Sequence, residues 1–286
     1  MGDSTAASIR NSISDGAPGR VYRRLLLQHA PNWLRKRHGD MTLESIDLGP
    51  LDRLRRTSTE DLRDVRLLEA KLLPALGLAD DAPDVFPSDL HAYLGHGLRC
   101  WQYPIQLAPY LRHLLRYPVR SYLELGTAHG GTFVVTSEYL RRLGQLQEAT
   151  AVDLRYVPSL QRYARRDAQV EFVQFDSNSA EFREFLGAKR LDLVLIDGDH
   201  SEEACRRDFE LFRPRSKMIA FHDIVDEPSP GVGRVWESIQ HQMSDEYNFY
   251  EFAAQYEEVK NRFGKTLLGI GLAVRKDYDT DPPPTA

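Results

Sequence analysis

Leu191–Glu203 reads LDLVLIDGDHSEE, an apolar run that ends abruptly in Asp197, Asp199 and His200. That pattern reads as a buried strand delivering charge to its carboxyl end, the edge where open parallel α/β sheets bind ligands and do chemistry. A companion lies upstream in SYLELGTAHGGTF, Ser121–Phe133, which reads as strand, glycine turn and helix start. Two such strand ends in register point to one nucleotide-type cofactor and one reaction site.

Outward from these, short apolar runs alternate with helical patterns at Tyr122–Leu125, Ala149–Val152, Val170–Phe175, Leu191–Ile196 and Lys217–Phe221. Strands alternating with helices predict an α/β fold, a doubly wound parallel sheet with crossover helices. Two later runs, Asn248–Phe252 and Leu268–Val274, are separated by a charged, loop-like interval without a clear crossover helix, and read as an antiparallel pair closing the sheet. Before Pro118 the chain is helical in character. Leucines at 25, 26, 62, 67, 68, 72 and 73 mark one stretch from Val21 to about Gly77, Asp80–Ser88 reads as a linker, and a second helical stretch runs from Leu90 to Arg116. The expected organisation is a disordered 1–17, a helical cap over 18–100, a catalytic domain over 101–276 and a disordered tail over 277–286.

The 286 residues carry a net charge of −5, which gives no overall attraction to nucleic acid or anionic lipid. No apolar run approaches the roughly 18 residues of a membrane span. Met1–Arg20 has neither the apolar centre of a secretory signal nor, with Ala6 at the decisive position, a myristoylation motif. Cys100 and Cys205 fit no disulfide framework or zinc spacing. The expected home is the cytoplasm, and a homo-oligomer is left open.

Gly126, Gly130 and Gly131 follow the first strand at once, where glycine permits a tight turn and close backbone approach to a cofactor. Asp153 follows the cluster at the spacing of an acid that holds ribose hydroxyls, and Asp176 with Ser177 ends the third strand, where they can meet an adenine edge. A dinucleotide fingerprint requires a second glycine where this chain has Ala128, and Glu124 in the strand would repel a pyrophosphate. Glu124 suits a cationic ligand instead. S-adenosylmethionine (SAM), with an ammonium, a sulfonium and no phosphate, fits better than NAD.

ELGTAHGGT, AVDL, FDSNS, IDGDHSEEACRRDFE and MIAFHD, in that order, resemble class I SAM-dependent methyltransferases. Within them the chain is similar to the group of macrocin- and mycinamicin-type sugar O-methyltransferases, rhamnosyl O-methyltransferases and cephalosporin hydroxylase-like proteins, over roughly Trp101 to Lys276, with WQYPIQL as that group's segment before the first strand. The resemblance implies a Rossmann-like seven-stranded sheet with the last strand antiparallel. It places Glu124, Gly126 and Thr127 at the amino-acid end of SAM, Asp153 at the ribose, and Asp176 with Ser177 at the adenine.

Methyl transfer to a hydroxyl is an in-line displacement that needs an aligned acceptor oxygen and a proton acceptor. In the sugar methyltransferases, Asp197 and Asp223 match metal ligands and His200 matches the catalytic base. This chain departs at His222, where the relatives carry a second acid. Histidine is the softer ligand, less suited to Mg²⁺ than to Mn²⁺, Fe²⁺ or Zn²⁺, so the metal set reads Asp197, His222 and Asp223 with Mg²⁺ as the default divalent ion. His222 is equally readable as a hydrogen-bonded wall residue, Asp199 reads as a helix cap, and His129 as structural or substrate-facing. His38–Gly39–Asp40 mimics the start of an iron facial triad by chance, and His91 and His96 read as surface. The expected function is SAM-dependent O-methylation of a sugar hydroxyl in a glycoside, glycolipid or natural product. A SAM-binding scaffold and a nicotinamide-dependent oxidoreductase are the rivals.

Overall fold

A computed structural model describes residues 42–278, and all that follows concerns these. The expectations for 1–17, Leu25, Leu26, His38–Gly39–Asp40 and the last residues of the tail lie outside them.

Seven strands among the described residues form one sheet in the order β3-β2-β1-β4-β5-β7-β6. They are β1 Ser121–Leu125, β2 Glu148–Asp153, β3 Val170–Gln174, β4 Leu191–Ile196, β5 Ser216–His222, β6 Tyr247–Phe252 and β7 Ile270–Arg275. The first five pair in parallel, and β7 runs antiparallel between β5 and β6. β1 and β4 are buried at every residue, as central strands covered on both faces must be. Strand order reverses at β1, which has β2 on one side and β4 on the other, and this is the switch point at which such sheets open a crevice.

Register then levels the strand ends. Leu125 pairs with Val152 and Ile196, and Ile196 pairs with Phe221. One residue further along each strand therefore stand Gly126, Asp153, Asp197 and His222 in a row.

The helices bearing on this sheet are α1 Leu51–Arg56, α2 Pro104–Leu114, α3 Gly131–Leu143, α4 Pro158–Arg166, α5 Ala180–Leu186, α6 Glu202–Phe212, α7 Gly231–Gln242 and α8 Glu257–Phe263. The last corrects the sequence reading, which has no helix between the two closing strands. Glu257 and Glu258 open α8, Lys260 and Arg262 close it, and Gly264 caps it in the left-handed region at φ +64°. Those charges suit the helix dipole and stabilise a segment that buries only Val259.

The segment before β1 also differs from its reading. Leu90–Arg116 is not one helix: a 3₁₀ segment, Ser88–Tyr93, gives way to turns at Gly95 and Gly97, and α2 starts only at Pro104. Asp80–Ser88 is not a free linker, because Phe86 within it is wholly buried. The leucines of the expected cap, Leu62, Leu68, Leu72 and Leu73, share one core with Leu107 and Leu111 of α2 and with Val135 and Tyr139 of α3. Their apolar surface is satisfied within the chain. Close approach of Leu98 requires glycine at 131, where a Cβ would lie 2.2 Å from the Leu98 carbonyl oxygen.

A charged clamp fastens α1 to the rest. Glu138 of α3, buried, accepts from Arg55 Nη2 at 2.6 Å, from the Tyr163 hydroxyl at 2.9 Å and from Arg141 at 3.3 Å. Removing it strands the buried Tyr163 hydroxyl and unpairs Arg55, while Arg141 keeps Asp167 at 2.5 Å. Glu138→Ala is expected to cost about 2–4 kcal/mol, below the fully buried limit because Arg55 reaches solvent. Urea unfolding would check it, with the affinity of the folded fraction for S-adenosylhomocysteine (SAH) unchanged.

Candidate active site

The row of strand ends opens into a cavity of about 620 Å³, in the range of small-molecule sites. All six residues expected at the cofactor, Glu124, Gly126, Thr127, Asp153, Asp176 and Ser177, line it, as do Asp197 and His200. Arg99, Trp101, Leu154, Asn178 and Arg207 line it too. These five are not among the site residues read from sequence.

Gly126 sits at φ +81°, and a Cβ there would lie 1.9 Å from the carbonyl oxygen of Asp197. The close approach that demands glycine is thus between the turns after β1 and β4. Thr127 N–H and Ala128 N–H both donate to Asp153 Oδ2, at 2.9 and 3.0 Å, while Arg155 N–H donates to Oδ1 at 2.8 Å. The backbone donors that a dinucleotide's pyrophosphate would need already hold a carboxylate. This weighs against the oxidoreductase rival.

Glu124 is buried and takes a hydrogen bond from the Tyr122 hydroxyl, two residues back on the same strand face. Burial pushes its carboxyl well above the usual range, opposed by the Tyr122 bond and reinforced by Asp197 and Asp153. A cation arriving beside Glu124 would relieve that cost. At the β3 end, Asp176 Oδ1 accepts from Asn178 N–H at 2.8 Å, shaping the turn that carries Ser177 into the cavity. Beneath it, burial raises the Asp208 carboxyl to about 6.

At the other end stand two acids and two histidines. His222 falls inside β5 and pairs with Ile270, which buries it. Its Nε2 lies 3.2 Å from the Trp101 carbonyl oxygen, which can only accept, so the proton belongs on Nε2. Nδ1 is turned toward Asp223 Oδ1 at 2.8 Å and Asp197 Oδ1 at 3.2 Å. His200 spans the same two acids, with Nε2 3.3 Å from Asp197 Oδ1 and Nδ1 3.1 Å from Asp223 Oδ2. Asp223 is held at φ +63°, a left-handed backbone uncommon for a residue other than glycine and frequent at functional sites.

Burial works to raise the Asp197 carboxyl, but the charge of the nearby His222 and the hydrogen bond from His200 hold it below the usual value. Burial likewise works to lower His222, and the two carboxylates overcome it and push the imidazole well above its ordinary value. A hydrogen bond to Asp197 raises His200, against partial desolvation.

Among the described residues, the remaining histidines and Asp199 fall outside this cluster. Asp199 Oδ1 accepts from Ser201 N–H at 2.8 Å, and Ser201 itself caps α6, so Asp199 shapes the helix entry. His129 lies between the Glu44 carbonyl at 3.4 Å and Asp81 at 3.6 Å, a structural placement. His91 and His96 are exposed.

Replacing Gly126 tests the turn. Gly126→Ala must adopt a left-handed backbone and displace the Asp197 carbonyl, at a cost of about 2–3 kcal/mol. Lower melting together with weakened SAH binding by calorimetry is the expected result, and wild-type behaviour in both would remove the turn from the cofactor's surroundings.

Comparison with known proteins agrees with this geometry. A family model described as a methyltransferase domain matches residues 123–224, the span from β1 to just past Asp223. The rhamnosyl O-methyltransferase of Mycobacterium tuberculosis (strain ATCC 25618 / H37Rv) is 25% identical over 194 residues, covering 63% of this chain and 76% of that protein. Among solved structures, an O-methyltransferase from Bacillus cereus in complex with SAH is 16% identical, covers 79% of this chain and 95% of its own, and has a TM-score of 0.45. TomG from Streptomyces achromogenes, an O-methyltransferase involved in tomaymycin synthesis and solved with SAM, is 17% identical over 71% of this chain and 93% of its own, also at 0.45. No helix among the described residues is long and apolar enough to cross a membrane. With β7 inserted antiparallel between β5 and β6, the match to a methyltransferase domain over residues 123–224 lies across the strand ends that line the cavity.

Proposed function

We propose that the chain methylates a hydroxyl of a sugar, in a glycoside, glycolipid or natural product, with a divalent cation held by Asp197, His222 and Asp223. The observation that carries this reading is the convergence of Asp197, His200, His222 and Asp223, of which Asp197 and His200 line the cavity while His222 and Asp223 are buried against them. The rhamnosyl O-methyltransferase relative supports a sugar acceptor.

The donor set fits a metal. His222 Nδ1 and Asp223 Oδ1 are buried and, although close, are not aligned as a hydrogen bond, so each is an orphaned polar atom. An imidazole whose far nitrogen is fixed on a backbone carbonyl is the usual setting of a metal-ligating histidine. Among the described residues, Asp197, His200 and Asp223 bring one ligand atom each within 4.8 Å of one another, so His200 is a further possible ligand beside the two acids. A bound divalent cation would lower the pKa of an acceptor hydroxyl beside it. The nitrogen of His222 shifts the preference from Mg²⁺ toward Mn²⁺.

The chain's own residues do the rest. In this reading Asp153 holds the ribose, Asp176 and Ser177 the adenine, and Glu124, Gly126 and Thr127 the amino-acid end, all six lining the cavity. His200, whose two ring nitrogens face Asp197 and Asp223, is the group proposed to take the acceptor's proton. In the transfer the S–CH₃ bond breaks as the O–CH₃ bond forms, the electron pair stays on sulfur to give SAH, and the hydroxyl proton passes to His200.

His200→Ala is expected to lower turnover by roughly 10²–10⁴-fold while SAH affinity stays near wild type. Exhaustive chelation should abolish activity, with Mn²⁺ restoring it at lower concentration than Mg²⁺. Full activity in excess chelator, from protein free of metal by elemental analysis, would remove the cation and leave His200 as base alone.

A further inference from the structure

We infer that the indole of Trp101 is the platform on which the acceptor's pyranose ring lies, an assignment that rests on the sugar reading above. Trp101 joins the two halves of the site. Its side chain lines the cavity with Asp197 and His200, and its carbonyl oxygen is the atom that fixes His222. Phe175, the other aromatic lining residue, follows β3 at the opposite end of the row, beside Asp176 and Ser177. Trp101 is therefore the aromatic surface at the end where the methyl group must be delivered.

The ring is held by one aromatic neighbour and is only partly buried. Phe86 meets it edge-on, with centroids 6.1 Å apart and planes at 87°. Phe86 is itself wholly buried and packed edge-on against Tyr103 at 5.8 Å, whose hydroxyl donates to the Val85 carbonyl at 2.6 Å. The indole is half-buried against this stack. Its N–H has no protein partner among the described residues, whereas the indole N–H of Trp236 donates to Glu251 at 2.7 Å. Tryptophan N–H groups usually find a partner, and one left facing a cavity is free for a ligand.

A pyranose offers complementary chemistry, a C–H face and a rim of hydroxyls. The face on the indole gains dispersion contacts, the rim reaches the Asp197, His200 and Asp223 end, and the indole N–H can donate to a sugar oxygen. A fixed ring costs little ordering entropy when the sugar arrives.

The test compares Trp101→Ala and Trp101→Phe with wild type, using SAM and a panel of methyl α-L-rhamnopyranoside, methyl α-D-mannopyranoside, methyl β-D-glucopyranoside and catechol. Trp101→Ala should raise KM for the preferred pyranoside tenfold or more. Trp101→Phe, which keeps a face and loses the N–H, should fall between. In both variants SAH affinity by calorimetry should stay within twofold, and Mn²⁺ binding by electron paramagnetic resonance should be intact, because His222 is held by the backbone of residue 101. Unchanged KM in both variants, or SAH affinity falling in parallel with KM, overturns the platform while leaving the sugar reading standing. Methylation of catechol with no pyranoside turned over, or no turnover of any of the four, removes the sugar reading and the platform together.

Discussion

Four acidic side chains, Glu124, Asp153, Asp197 and Asp223, converge on the carboxyl edge of one buried sheet, and most of the local structure follows from accommodating them. Charge removed from water is costly unless paired or hydrogen-bonded. Each acid is settled differently. Asp153 is held by backbone N–H groups, Asp197 and Asp223 share two histidines, and Glu124 has one tyrosine hydroxyl and an upward-shifted carboxyl. The acid with the poorest protein partners, Glu124, is the one whose burial a neighbouring cation would offset.

The same constraint explains why the glycine turn is built as it is. In a dinucleotide-binding protein the backbone donors after the first strand are kept free for phosphate. Here they close on Asp153 from the neighbouring strand, and Gly126 lets the turn press onto the Asp197 carbonyl. Packing three strand ends that tightly leaves no room for a pyrophosphate cradle. It does leave carboxylate-lined space suited to a sulfonium donor.

Much of this was legible in the sequence, because it is local. An apolar run followed by acids or glycine marks a strand end wherever it occurs, and the runs at 122–125, 149–152, 191–196 and 217–221 all fall within strands of the sheet. Tyr122 could have been found, since residues two apart on a strand share a face with Glu124. What stayed hidden depends on contacts distant in sequence or on backbone geometry. Nothing in MIAFHD says that His222 lies within the strand beside Ile270, or that Asp223 takes a left-handed backbone. The short helix at Glu257–Phe263 has one buried residue, too few for a periodic signal. Arg99 and Trp101 sit in a stretch whose helical composition is overridden by left-handed Gly95 and Gly97 and by the start of α2 at Pro104.

That overridden stretch is where the residues before β1 meet the chemistry. Leu98 and Cys100 press on Gly131 at the start of α3, so the chain can pass there only because no side chain intervenes. One residue later the Trp101 carbonyl reaches His222, and the next elements, Gln102 and Gln106, carry the connection on, with Gly269 N–H donating to Gln106 Oε1 at 3.1 Å. Gly269 in turn accepts from Ile224 N–H, just past Asp223. A closed path thus runs from the segment preceding β1, through α2 and the turn before β7, back to the two residues that end β5. The domain matched by the family model, 123–224, contains the acids and histidines but not the partners that orient them. Those partners come from both flanking segments, so the geometry of the His222–Asp223 end is a property of the whole folded unit and not of the sheet alone.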